Sequence, residues 1–229
     1  MYKRKKENNS QTLGEEIANA ISHGLMIPFG IIMLIFISCY IFSLKITIIS
    51  PFNKFFSIFS PFSMIFLYLV STLYHALSFT KAKKILKKLD HIGIYLLIFG
   101  TFTPFLLLSP ELNKQKFFGN INLGLFLFVV QFIIITIGII LKWFWIYKWN
   151  KIHICLFLLL GWSSLFIFPF LNLDKSILYF LLFGGFFYSL GVYFYIKDYK
   201  KYYHFIWHLF VSLGTICHFI AIIVFLSFL

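Results

Sequence analysis

Seven stretches of this chain are long and apolar enough to cross a bilayer, and few folds accommodate that. A spanning helix needs about 20 mostly apolar residues. Candidates run over Ala20–Leu44, Phe55–Leu77, Ile92–Leu108, Ile121–Leu141, Ile152–Leu171, Ile177–Ile196 and Phe205–Phe228. The connections are short, so neighbours in sequence are expected to be antiparallel neighbours in space. The expectation is an all-α integral membrane bundle of seven transmembrane helices. Residues 1–19 form a basic tail and the helix start, and residues 20–229 form one transmembrane domain. Composition agrees, because 61% of the residues are hydrophobic and only 12% are charged. A soluble core of this size cannot bury so much apolar surface. The apolar run from Ala20 follows a basic stretch, but it is too long for a signal-peptide core and lacks a small-residue cleavage site. It is read as a retained first helix.

A net charge of +13 could suggest a nucleic-acid partner. The placement of the charges excludes that class, because they sit in short loops between apolar segments. Counted by side, the N-terminal tail and the second-to-third, fourth-to-fifth and sixth-to-seventh connections carry fifteen Lys and Arg, and the other side carries five. The positive-inside rule then puts the N-terminus in the cytoplasm and the C-terminus outside. Cys39, Cys155 and Cys217 lie in apolar segments, far apart in sequence, and are read as small buried thiols rather than a disulfide framework.

Ionisable groups within membrane segments are costly and usually functional. His75 falls near the cytoplasmic end of the second helix, with Ser71 one turn away on the same face. Asp90 and His91 open the third helix at that level, and His204 and His208 open the seventh with both rings pointing one way. His23 begins the first helix there, with Glu16 and Asn19 on its face. Two histidines at i, i+4 plus one from another helix make three nitrogen ligands for zinc and leave a fourth position open, as in catalytic sites. Asp90 is then placed to take or orient a proton, and Ser71 to contact a ligand or a substrate carbonyl. A lone membrane histidine more often hydrogen-bonds a neighbour, and Asp90 alone suits a helix N-terminus; the shared depth of the set favours the metal. His23 is read as an interhelical polar contact with Asn19, and His91 and His153 as interfacial. His218 sits about 15 Å deeper than His208 at the usual helical rise and is read as a buried hydrogen-bonding histidine.

Four motifs carry a family resemblance: Glu16-x-x-Asn19-x-x-Ser22-His23, Ser71-x-x-x-His75, Asp90-His91-x-x-Ile94-Tyr95 continuing to Gly100, Thr103 and Pro104, and His204-x-x-x-His208 with His218 beyond. In order and spacing the chain resembles the bacterial hemolysin III proteins, related to the progestin and adiponectin receptor (PAQR) family. Ser22 stands where that pattern more often has Thr. The resemblance implies a multi-pass protein of the bacterial inner membrane, zinc held by His75, His204 and His208, and Asp90 beside the water that completes the coordination.

Three functions compete. The first is a zinc-dependent hydrolase of a lipid amide or ester, like a ceramidase, with membrane lipids as partners and Asp90 and Ser71 as catalytic groups. The second is a pore-forming cytolysin, although no repeating polar face runs through the helices. The third is a receptor or sensor with structural zinc. A retinal pump is excluded by the absence of Lys from the seventh helix, and the odd helix count does not suggest two inverted repeats.

Overall fold

The computed structural model describes residues 11–43, 50–146, 148–163, 165 and 173–229. A short helix α1 (Leu13–Gly24) leads into α2 (Met26–Ser43), then α3 (Pro51–Ala76), α4 (Lys83–Leu108) and the short α5 (Pro110–Lys114). An antiparallel ribbon of β1 (Lys116–Phe118) and β2 (Ile121–Asn122) follows. The chain continues through α6 (Leu123–Phe144), α7 (Asn150–Trp162), α8 (Lys175–Ile196) and α9 (Tyr203–Ser227).

Six spans among the described residues are long and apolar enough to cross a membrane: α1 with α2, then α3, α4, α6, α8 and α9. The shorter apolar α7 occupies the first half of the expected fifth span. At the usual rise it covers about 20 Å. Most of the remainder of that span, together with Lys3–Lys6 and Lys45, lies outside the described residues.

Local chemistry sets the helix starts. Thr12 and Glu15 form a reciprocal capping box on α1. Ser50 caps α3 ahead of Pro51, and Asn122 caps α6. The outer surface is apolar: Ile31, Ile32 and Ile35 of α2 and Phe132, Ile133 and Ile137 of α6 are exposed. Patches of this kind are foreign to a water-facing monomer. In α1 the usual pattern is inverted. Leu13, Ile17, Ile21 and the following Leu25 point outward at four-residue spacing, while Glu15, Glu16, Asn19, Ser22 and His23 are buried. This is an all-α multi-pass membrane bundle.

Helix α4 is central, with 78% of its most apolar stretch buried against 22% for α8. It packs most extensively on α3, as α8 does on α9. Small residues permit the α3–α4 approach: a Cβ on Gly100 would run into the Ser63 hydroxyl. Deep in the bundle, Thr215 of α9 donates to the Val211 carbonyl at 2.9 Å. Its oxygen therefore accepts from both Tyr68 and Tyr188, each at 2.8 Å. Thr215→Val is expected to remove the partner of one buried and one half-buried phenol and cost about 1–3 kcal/mol, read as a lower unfolding temperature in detergent. An unchanged transition would show that the phenols find other partners.

Two expectations are corrected here. Helix α4 begins at Lys83, not near Ile92, so Asp90 and His91 lie two turns inside it and Asp90 is not a helix N-terminal residue. The lysines lower the local hydropathy without stopping the helix. The cysteines are not buried: Cys39 and Cys155 are exposed on the outer surface and Cys217 is half-buried.

Candidate metal centre

At one end of the bundle the last turn of α3 meets the first turns of α9, and α1 lies against both. His75 is the penultimate residue of α3, and His204 and His208 occupy successive turns of α9. Their ring centroids form a nearly equilateral triangle, 5.2 Å from His75 to His204, 5.0 Å from His75 to His208 and 4.7 Å from His204 to His208. One nitrogen from each ring lies within 4.8 Å of the others. His75 and His208 are each 1% exposed.

The hydrogen-bond inventory fits a cation at the centre of this triangle. His75 Nε2 and both nitrogens of His204 are buried without any hydrogen-bond partner. Buried polar atoms rarely stay unsatisfied, and three converging imidazoles are a donor set for a transition metal.

Asp90 and Ser71 flank the triangle. The Asp90 carboxyl is in electrostatic reach of His75 and Lys87 and lies beside Ser71. Ser71 is fully buried, with its hydroxyl next to the Asp90 carboxyl. The structure therefore brings all five expected site residues into one neighbourhood, with only the histidines in the ligand group.

The other histidines divide differently from expectation. His23 does not bond Asn19, whose side-chain amide donates to Gln11 at 2.9 Å. It stacks on His208, with centroids 3.6 Å apart and planes 10° apart, and meets Tyr68 edge-on. His153, in the first turn of α7, is buried against the bundle at 1% exposure, and its Nδ1 faces the Tyr95 hydroxyl at 2.6 Å. His91 turns a buried Nδ1 inward. His218 is the buried, hydrogen-bonding residue expected, with Nε2 donating to the Leu181 carbonyl at 3.1 Å.

Sequence reasoning missed the role of Glu16. Its Oε2 lies 2.7 Å from His75 Nδ1, and its Oε1 accepts from Lys83 Nζ at 2.7 Å. The signal was present: on a helix whose outward positions are all apolar, a carboxylate must find its partner inside.

An apolar cleft adjoins the site, lined by Leu67, Ile94, Phe157, Tyr195, Trp207 and Val211 among others. Its cavity volume is about 80 Å³. Leu67 is one turn along α3 from Ser71, and Ile94 one turn along α4 from Asp90. The cleft therefore runs one helical turn from Ser71 and Asp90, and none of the five site residues is among those that line it.

A family profile described as "Haemolysin-III related" matches residues 11–219. The chain is 34% identical over 218 residues to the "Hemolysin-3 homolog" of Bacillus subtilis (strain 168), covering 93% of this chain and 94% of that protein. It is also 34% identical over 220 residues to "Hemolysin-3" of Bacillus cereus, covering 93% of each. With this match along nearly its whole length, the chain belongs to the haemolysin-III related family.

Proposed function

We propose that this protein is a zinc-dependent hydrolase of a lipid amide or ester in the bacterial cell membrane, with its site at the cytoplasmic end of the bundle. The observation that carries the reading is the convergence of three histidine nitrogens within 4.8 Å, flanked by a carboxylate and a buried hydroxyl. The orientation rests on the fifteen-to-five distribution of Lys and Arg.

His75, His204 and His208 would hold the ion. When bound, zinc supplies Lewis-acid polarisation of a carbonyl and of water at the position three ligands leave open. The remaining work belongs to the chain. Asp90 accepts the proton of the water that attacks the carbonyl carbon and returns it to the departing amine or alcohol as the carbon–nitrogen or carbon–oxygen bond breaks. Ser71, its hydroxyl beside the Asp90 carboxyl, donates to the carbonyl oxygen when substrate is bound. The apolar cleft holds the lipid chain and keeps bulk water away.

Purified protein is expected to carry one zinc per chain and to cleave at least one member of a panel of lipid amides and esters. Chelation should abolish cleavage, and added zinc should restore it. A zinc-loaded protein that cleaves nothing in the panel would replace this reading with a receptor or sensor holding structural zinc. The names of the two relatives favour a second reading, a cytolysin. Liposome leakage that survives loss of the three histidines would support it.

A further inference from the structure

The three histidines differ in what holds them. Glu16 takes an ammonium on one oxygen and His75 Nδ1 on the other. An ionised carboxylate only accepts hydrogen bonds, so the ring hydrogen of His75 sits on Nδ1 and the lone pair on Nε2. That Nε2 is the buried nitrogen without a partner. His208 Nδ1 lies 3.1 Å from Ser22 Oγ and 3.3 Å from the Asn19 carbonyl. Ser22 spends its own hydrogen on that carbonyl at 2.8 Å. Its oxygen is therefore an acceptor toward His208, and this ring also carries its hydrogen on Nδ1. His204 has no hydrogen-bond partner on either nitrogen.

Each of these acceptors lies on α1, and α1 is fastened to each helix that frames the site. Glu16 reaches His75 on α3 and Lys83 at the start of α4. Ser22 and Asn19 reach His208 on α9. Glu15 Oε1 accepts the Tyr202 backbone N–H at 2.8 Å, at the left-handed residue (φ 60°) that starts α9. That conformation is costly for a residue with a side chain, and the Glu15 bond helps to hold it. The capping box fixes Glu15 in turn.

We propose that α1 is the positioning element of the metal centre: Glu16, clamped by Lys83, and Ser22 hold His75 and His208 in the tautomer that turns Nε2 to the ion. This rests on the metal reading above. Glu16 acts through His75 and is a positioning residue, not a catalytic one. A carboxylate on the far nitrogen of a metal-bound imidazole fixes the ring and raises its basicity. A merely structural ion pair would support the fold of the metal-free protein and leave metal affinity alone.

The test is zinc affinity by chelator competition on the full-length protein in detergent, with the visible spectrum of the cobalt-substituted protein and the metal-free unfolding temperature measured alongside. Glu16→Gln is expected to weaken zinc by about 10–100-fold and to shift the cobalt spectrum. Lys83→Gln should weaken it less, because Glu16 remains. Equal zinc affinity and an unchanged cobalt spectrum in Glu16→Gln, beside a wild type that binds zinc, would overturn the positioning role and leave the metal reading intact. A wild type that binds no metal would overturn both. If Glu16→Gln fails to fold, Ser22→Ala decides through His208: weakened zinc supports the proposal, and unchanged affinity overturns it.

Discussion

His204→Ala is expected to strip the metal while leaving the helix bundle intact. His204 is one of three converging donors, yet neither of its nitrogens has a hydrogen-bond partner. The apo fold therefore loses only ring contacts, such as that with Tyr195 at 6.4 Å. Removing a ligand should weaken zinc by more than the roughly 10–100-fold that loss of an outer hydrogen-bond partner costs. Elemental mass spectrometry should fall from one zinc per chain to none. His208→Ala should lose the metal too, but with a cost in stability, because His208 also stacks on His23 and bonds α1. The contrast is the informative result: similar metal loss in both variants, and a lower metal-free unfolding temperature only for His208→Ala. Zinc retained in His204→Ala would remove this residue from the ligand set and leave the triangle without a metal function.

Depth along the membrane normal was legible from sequence, because helical rise and the charge asymmetry together place a residue at one end of the bundle or the other. That is why His75, His204 and His208 could be assigned a common level before any helix was packed. The i, i+4 spacing also fixed that the two α9 rings point one way. Rotation of one helix against another was not legible. Glu16 and His75 lie on different helices, and their 2.7 Å contact depends on how α1 rolls against α3. The cysteines failed for a different reason. Lipid and core are both apolar, so an apolar segment does not say which of its faces is inside. Cys39 and Cys155 face outward from the same helices, α2 and α7, that bury Ile37 and Leu160. The start of α4 was hidden by its lysines, since hydropathy marks where the bilayer ends and not where the helix does. The break at Leu25 between α1 and α2 was hidden by an apolar run that continues through it.

Asp90→Asn should separate chemistry from metal binding. Asp90 lies beside Ser71 and within electrostatic reach of His75, but outside the three-histidine ligand group. The amide keeps the shape of the carboxyl and cannot take up a proton. If Asp90 shuttles the proton from attacking water to the leaving group, turnover on any cleaved lipid should fall about 10²–10⁴-fold. Zinc content should stay at one per chain. Substrate binding should change little, because on this reading the acyl chain would occupy the apolar cleft one turn beyond. Loss of zinc together with activity would make Asp90 a support of the metal rather than a proton carrier. Full activity with zinc in place would move the proton transfer to another group, and Ser71, the buried hydroxyl beside Asp90, would be the next to replace.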